Sequence, residues 1–303
     1  MTEPKTTEQT PSTEQASILS RLAPRPPKPP KEVQSKAGRN LPAAVATALI
    51  LLTIVGLSIA FRIEFFVLLV TIVVMGALWE AAGAFLARDI RLPLTPMMLG
   101  ALMMIAHTWF IGVETGILTY LVASFAVVVW RSYIGGGSAL RDGLAGVFVL
   151  GWIGVFGMFA VALASLPKAP FVIIAFILLP VANDTGGWLA GIFFGKHPIA
   201  ASISPKKSWE GFVGSVLAAL LISFLTVDLL LGLHWQWALG IALLTPVFAT
   251  AGDFAESLLK RDLGVKDMGS IFPGHGGILD RVDSILFCAP MLYGLLGLGM
   301  GVF

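Results

Sequence analysis

Long apolar stretches follow one another along most of this chain, separated by short polar segments. A helical membrane span needs about 20 mostly apolar residues. Nine stretches meet this requirement, at about 41–61, 65–87, 94–111, 113–130, 144–164, 171–193, 211–233, 235–256 and 284–302. None shows the period-2 alternation of a strand, and backbone groups in lipid must bond within their own element. The pattern predicts an all-α, polytopic integral membrane protein with about nine transmembrane helices.

The first forty residues differ from the rest, because they are polar, rich in proline and basic toward their end. Such a segment cannot bury enough apolar surface to fold alone, so residues 1–40 are predicted to form a disordered tail. Residues 41–130 are then a first group of transmembrane helices. Residues 131–303 form a C-terminal transmembrane region, where the chemically useful polar residues collect.

The composition agrees with a membrane protein. Hydrophobic residues make up 56% of the chain and charged residues 13%, with a mean hydropathy of +0.87, whereas an ordinary soluble domain has about 25% charged residues. Lys and Arg collect in the cytoplasmic loops of membrane proteins. With nine spans and the N-terminus inside, eighteen of the twenty Lys and Arg residues fall on the cytoplasmic side. We therefore expect a multi-pass plasma-membrane protein whose N-terminus and charged loops face the cytosol.

One carboxylate, Glu80 in "LWEAAGAF", stands out in the first five predicted spans. Because the end of its helix is near, and Arg88 and Arg91 follow, we interpret Glu80 as a carboxylate at the membrane interface. The alternative is a function within the membrane, since intramembrane carboxylates are costly unless they serve one.

The sixth apolar stretch contains the polar triplet Asn183-Asp184-Thr185, which must face protein or water at membrane depth. Gly186 and Gly187 follow it and allow the close approach of backbone or ligand. Cations and hydroxyls suited to phosphate oxygens then occupy the next loop: Lys196, Ser204, Lys206, Lys207 and Ser208. The alternative for this loop is an ordinary basic segment that obeys the orientation rule.

The eighth stretch ends in a face of charged residues. Asp253, Glu256 and Lys260 stand at i, i+3 and i+7 and therefore share one side of a helix. The irregular segment "FPGHGG" follows. If the chain is helical from Ile278, then Asp280 and Asp283 also share a face.

These residue types favour phosphoryl or nucleotidyl transfer at the membrane surface. The chain has no thiol cluster and no pair of nearby histidines, so a zinc site is not expected. Carboxylates suit Mg²⁺, which takes one or two of them plus substrate phosphates, and Lys and Arg neutralise the remaining phosphate charge. A cation transporter and a different lipid enzyme, such as a kinase, are the alternatives. The chain has no GxxxxGK[ST] loop, which counts against an ATP-dependent enzyme.

The stretch from Ser257 to Asp283 resembles the signature of the phosphatidate cytidylyltransferase family, also called CDP-diacylglycerol synthases. Every slot of that pattern is filled at the right spacing, by Ser257, Lys260, Arg261, Lys266, Asp267, Gly269, Phe272, Pro273, His275, Gly276, Gly277, Asp280, Arg281 and Asp283. The runs 183–186 and 204–211 are similar to other family motifs. Ser208 departs from a common threonine but keeps the hydroxyl.

The resemblance implies that CTP and phosphatidic acid react to CDP-diacylglycerol and pyrophosphate with Mg²⁺, and with K⁺ as a candidate second cation. We expect Asp253 and Asp280 to be the first metal ligands, with Asp283 and Asp184 as second choices. Phosphates are expected at the cations Lys206, Lys260, Arg261, Lys266 and Arg281. Further expected substrate contacts are Asn183, Ser204, Lys207, His275, Gly276 and Gly277. Membrane lipids and a second copy of the chain are candidate partners, and nucleic acid is not.

Overall fold

The computed structural model describes residues 23–27, 50, 53–136, 138–200, 204–269, 271 and 276–303, without the side chains of Pro205 and Lys206. Helices dominate these residues. They are α1 (53–61), α2 (Ile63–Phe85, continued by a 3-10 turn Leu86–Arg88), α3 (Leu94–Phe110), α4 (Val113–Ile134), α5 (Ala139–Leu163), α6 (Ala169–Phe194), α7 (Trp209–Leu230), α8 (Trp235–Leu263) and α9 (Leu279–Gly299). A small antiparallel hairpin, β1 (Pro198–Ala200) and β2 (Ser204–Ser208), joins α6 to α7.

The all-α polytopic architecture is confirmed. Among the described residues, seven helices are long and apolar enough to cross a membrane, and α3 is a shorter apolar helix. Most of the predicted span 41–61 lies outside the described residues, apart from residue 50 and α1. The largest difference is at the end of α8, which continues to Leu263. Helices α5 and α9 each begin five residues before the predicted start, at Ala139 and Leu279. Both charged faces predicted from the sequence are therefore helical.

The predicted tail lies outside the described residues, except for Ala23–Pro27. This short piece is neither helix nor strand. Its backbone contacts α2, because a Cβ added to Gly83 would overlap the carbonyl oxygen of Arg25. A glycine at this point of α2 therefore makes room for the chain that precedes the membrane region.

The core forms where α2, α3 and α5 meet α9. Large side chains such as Leu78, Met104 and Ile153 are fully buried there. Phe156 of α5 and Phe287 of α9 meet edge to face with ring centroids 4.9 Å apart, a favourable geometry for aromatic pairs. Many large apolar side chains on the outer faces of the helices are exposed. An apolar exterior around a packed interior is the arrangement expected in lipid.

Helices α6 and α7 approach each other through small residues. A Cβ on Gly186 would lie 2.6 Å from the carbonyl oxygen of Gly214, and one on Gly187 would lie 2.5 Å from Ser215 Oγ. The close approach expected at Gly186 and Gly187 is therefore made by α7, by its backbone at Gly186 and by the Ser215 side chain at Gly187, and such contacts through small residues are common between membrane helices. It holds the polar end of α6 against the start of α7.

Candidate active site

A cavity of about 550 Å³ opens where α6 and α8 end and α7 and α9 begin. Polar side chains line much of it. The lining consists of Asn183, Asp184, Gly187, Trp188, Ile199, Ser204, Lys207, Ser208, Gly211, Phe212, Ser215, Thr250, Asp253, Glu256, Ser257, Lys260, Asp267, Asp280, Arg281, Asp283 and Ser284. Residues that are up to 101 positions apart in the chain thus face one space.

Lys260 links the two charged helix faces. Its Nζ donates to Asp280 Oδ1 at 2.9 Å and lies 3.1 Å from Glu256 Oε2, one turn earlier on α8. Glu256 is almost completely buried. A buried carboxylate needs such a partner to offset its desolvation. The i, i+3, i+7 spacing on α8 therefore places one cation between acids from two helices.

Asp280 is held by the backbone as well as by Lys260. Its Oδ2 accepts hydrogen bonds from Gly277 N at 2.8 Å and from Met268 N at 2.9 Å. Gly276 has a positive φ of 82°, which a glycine adopts readily. That turn brings the Gly277 amide to the carboxylate, so both ends of the loop between α8 and α9 converge on Asp280.

Asp253 and Asp283 are carboxylates from two helices that lie close together in the cavity. Asp283 lies within hydrogen-bonding reach of both Asp253 and Glu256. Asp253 also pairs with Lys207 Nζ from β2. Asp184 is near enough to Asp253 for their charges to repel. Like charges at such range are unfavourable unless a proton or a cation lies between them.

Helix α6 supplies a polar network around Asp184. The Asn183 side-chain amide donates to Asp184 Oδ1 at 2.9 Å, and Ser284 Oγ donates to Asp184 Oδ2 at 3.3 Å. Ser215 Oγ donates to the Asn183 carbonyl oxygen at 2.7 Å. Thr185 Oγ1 donates to the Val181 carbonyl oxygen within α6, while Asn183 Oδ1 is buried without a partner among the described residues. Most of the triplet is thus bonded within the bundle, as polar groups at membrane depth require, and one acceptor next to the cavity is left over.

The donor set fits a hard divalent cation. Among the described side chains, six carboxylates and three cations line the cavity, so the formal charge of this part of the lining is negative. Among the described residues, no three His, Cys, Asp or Glu side chains are arranged to enclose an ion by themselves. Mg²⁺ does not need such a cage, because one or two carboxylates and substrate phosphates usually bind it. The Asp253–Asp283 pair meets that requirement.

The hairpin covers one side of the cavity and is fastened by Glu210. Glu210 Oε2 accepts from the amides of Lys196 at 3.1 Å and His197 at 3.2 Å, and its Oε1 bonds His197 Nδ1 at 2.5 Å. Ser208 Oγ accepts from Gly211 N at 3.1 Å and caps α7. The hairpin thereby presents Ser204 and Lys207 to the cavity.

The structure brings most of the predicted site residues to this cavity, though not all of them. Those that line it are Asn183, Asp184, Ser204, Lys207, Asp253, Lys260, Asp280, Arg281 and Asp283. Gly276 and Gly277 shape the turn next to Asp280. Arg261 and Lys266 are exposed and lie outside the lining, so their roles stay predictions. His275 and the side chain of Lys206 lie outside the described residues.

Three carboxylates have contacts that the sequence reasoning missed. Glu256 pairs with Lys260, and only its spacing from Asp253 pointed to it. Glu210 fastens the hairpin. Glu80 is 2% exposed and contacts the loop before α9. This position differs from the one expected from the sequence, at the membrane interface beside Arg88 and Arg91.

Comparison with known proteins agrees with this arrangement. A family model described as "Cytidylyltransferase family" matches residues 42–298. The chain belongs to the cytidylyltransferase family.

Two similar proteins carry the same name. A phosphatidate cytidylyltransferase of Mycobacterium leprae (strain TN) is 32% identical over 280 residues, covering 87% of this chain and 89% of the relative. A phosphatidate cytidylyltransferase of Staphylococcus epidermidis is 41% identical over 124 residues, covering 40% of this chain and 47% of the relative. The family match includes every described residue that lines the cavity.

Proposed function

We propose that this chain is a phosphatidate cytidylyltransferase, which converts CTP and phosphatidic acid to CDP-diacylglycerol and pyrophosphate. The observation that carries the proposal is the convergence of Asp253, Lys260, Asp280 and Asp283 on one cavity at the helix ends, in a chain similar to proteins of that name. A lipid phosphate reaches such a cavity from the membrane, and a nucleotide reaches it from the aqueous side.

The reaction is an in-line displacement at phosphorus. An oxygen of the phosphatidate phosphate forms a bond to the α-phosphorus of CTP, while the bond from that phosphorus to the bridging oxygen of the β-phosphate breaks. Pyrophosphate leaves with the electron pair. The attacking phosphate is already ionised at neutral pH, so the site needs no strong base. Catalysis of this class consists of positioning and charge stabilisation.

The cavity residues divide these tasks. Lys207 and Arg281, which line the cavity, are placed to bind phosphate oxygens. Lys260 is oriented by Glu256 and Asp280, so the position of its ammonium group is fixed before substrate arrives. Asp253 and Asp283 would hold Mg²⁺, which when bound neutralises charge on the reacting phosphates and on the leaving pyrophosphate. Asp280, expected from the sequence to be a first ligand, is bonded to Lys260 and to two backbone amides. It therefore joins Asp184 as a further candidate for that ion, with K⁺ as a candidate second cation.

The proposal includes the placement of the protein. The distribution of Lys and Arg supports a plasma-membrane protein whose cavity and N-terminus face the cytosol, where CTP is found. Cysteine labelling of single variants at Arg62 and Arg261 with an impermeant reagent tests the orientation. A homodimer stays a prediction, and light scattering on the solubilised protein tests it.

The activity test uses the purified full chain in nanodiscs with phosphatidic acid, Mg²⁺ and CTP labelled at the α-phosphate. We expect labelled CDP-diacylglycerol, identified by mass, and release of one pyrophosphate for each lipid product. ATP in place of CTP should give no product. The Asp253→Asn variant is the matched control, because it removes a charge without changing side-chain size. Cation flux into liposomes without any CTP-dependent product would instead support a transporter and contradict the proposal.

A further inference from the structure

Glu80 connects the first group of helices to the loop that precedes α9. It lies on α2, 199 residues before its partner Leu279, whose backbone amide donates to Glu80 Oε2 at 3.1 Å. The side chain is 2% exposed. The amides of Ile278 and Ile271 also lie near this carboxylate. A carboxylate buried to this degree is costly unless backbone donors or cations satisfy it.

Two glycines of the loop make room for this carboxylate. A Cβ added to Gly269 or to Gly277 would overlap Glu80, and the three nearest heavy atoms to each added Cβ all belong to Glu80. Gly277 lacks the positive φ of Gly276. Its small size is therefore required by the neighbouring carboxylate and not by backbone conformation.

One helical turn before Glu80, the same face of α2 makes a second contact with the loop. A Cβ added to Gly76 would overlap the side chain of Ile278, and Gly76 precedes Glu80 by four positions, which places both on one side of the helix. The loop residues immediately before α9 are thus fitted to α2 by shape at Gly76 and by hydrogen bonding at Glu80.

This contact adjoins Asp280 directly. Glu80 accepts from the amide of Leu279, and Asp280 accepts from the amide of Gly277, two positions earlier. Gly277 also lies against Glu80. A shift of Glu80 should therefore move the first residues of α9. The acidic side chains of that helix, which face the cavity, should move with them.

We propose that Glu80 is a positioning residue for the reaction: it fixes the segment Gly277–Leu279 so that Asp280, Arg281 and Asp283 face the substrates. This inference rests on the proposed function. Glu80 does not line the cavity, and its effect passes through the backbone of the loop. What it supplies is a hydrogen-bond acceptor of the right length at a fixed place on α2.

The first test compares side chains at position 80. Glu80→Ala removes the acceptor, and Glu80→Asp shortens it by one methylene. Both should lower kcat by about 10- to 100-fold, the scale for a small misplacement of catalytic groups, while the KM for CTP changes less than about threefold. Glu80→Gln keeps an acceptor oxygen at the same reach and should retain kcat within about threefold.

The second test is a double-mutant cycle with Gly277→Ala. Alone, the added methyl group should overlap the carboxylate and lower kcat by about tenfold or more. In the Glu80→Ala background that overlap is gone, so Gly277→Ala should cost much less there. Such coupling is expected only of residues in contact. If the two losses simply multiply, Glu80 does not act through Gly277 and the proposal is overturned.

Hydrogen–deuterium exchange of the peptide that spans residues 264–283 gives a readout that needs no turnover. Exchange should rise in Glu80→Ala and stay near that of the unchanged chain in Glu80→Gln. Lack of CDP-diacylglycerol synthesis by the unchanged chain would overturn the proposed function, and exchange would still decide the role of Glu80. An active chain whose Glu80→Ala variant keeps both its kcat and its exchange pattern would refute the positioning role alone.

Discussion

Two charged clusters lie at helix ends in this protein, and they differ in whether their charges are balanced. The first surrounds Asp142 of α5, which is completely buried. Arg131 donates to Asp142 Oδ2 through Nε at 3.1 Å and Nη2 at 2.7 Å, and Ser138 Oγ donates to it at 3.1 Å. Arg141 Nε donates to Oδ1 at 3.3 Å. Asp142 therefore has a donor on each oxygen from within the fold.

The second cluster, at the cavity between α6 and α9, is not balanced in this way. Asp253, Glu256 and Asp283 are near neighbours, and of the lysines whose side chains the structure describes, Lys207 and Lys260 pair with carboxylates there. Burial of like charges lowers stability. A protein that keeps such an arrangement gains something else from it, and binding a cation together with anionic substrates is the gain that we propose. The balance of charge in the two clusters thus predicts a structural role for the first and a catalytic role for the second.

Removal of divalent cations should have the largest effect. We expect EDTA to abolish CDP-diacylglycerol synthesis and added Mg²⁺ to restore it, because the contact of Asp253 with Lys207 does not neutralise the whole acidic pair of Asp253 and Asp283. Mg²⁺ at a hundred times its Kd should also stabilise the fold by about 2.7 kcal/mol, measured by thermal unfolding. The Asp253→Asn variant serves as the control. An equal stabilisation of that variant would show that the ion binds elsewhere.

Arg131→Ala tests the balanced cluster. It leaves Asp142 buried without its main partner, so it should destabilise the protein by about 3–5 kcal/mol. Denaturation monitored by circular dichroism measures the loss. Activity per folded molecule should remain near that of the unchanged chain. A variant that folds normally but loses catalysis would show that this cluster has a part in the reaction and would end the contrast between the two.

Asp283→Asn should show the opposite behaviour in the unbalanced cluster. We expect kcat to fall by about 100- to 1,000-fold, the scale for loss of one preorganised electrostatic contact. Stability should hold or rise, because the substitution relieves repulsion with Asp253 and Glu256. Steady-state kinetics and thermal unfolding on the same preparation provide both numbers. Loss of stability in parallel with activity would indicate that Asp283 is structural.

The sequence predicted the parts of this site that depend on local spacing. The shared face of Asp253, Glu256 and Lys260 needs only helical periodicity, and so does that of Asp280 and Asp283. It could not predict which carboxylates would pair. Lys260 pairs with Asp280, and Asp283 lies close to Asp253. These pairs depend on how α8 packs on α9, which decides which residues of the two charged faces lie opposite each other.

Contacts between segments that are distant in the chain could not be predicted from the sequence, because they too depend on how the helices pack. Glu80 has arginines close by in the chain, so local reasoning placed it at the interface. The fold instead pairs it with Leu279 across 199 positions. The sequence does contain the residues that make this contact possible, since Gly269 and Gly277 leave the space that the buried carboxylate occupies. Choosing between the two readings requires knowing that α2 faces the loop before α9.

Lys207→Gln gives the smallest predicted effect and the finest test of the unbalanced cluster. Lys207 pairs with Asp253 and stands 5.2 Å from the centroid of the Phe254 ring, so it is held at the cavity before CTP binds. Its loss should raise the KM for CTP about tenfold, as for one charge-assisted hydrogen bond, with a smaller change in kcat. Arg62→Gln is the charge-matched control, because its pair with Glu64 is exposed and contributes little. If Lys207→Gln lowers kcat and leaves KM unchanged, Lys207 acts on the transition state, and its pairing with Asp253 is then part of the catalytic step and not of CTP binding.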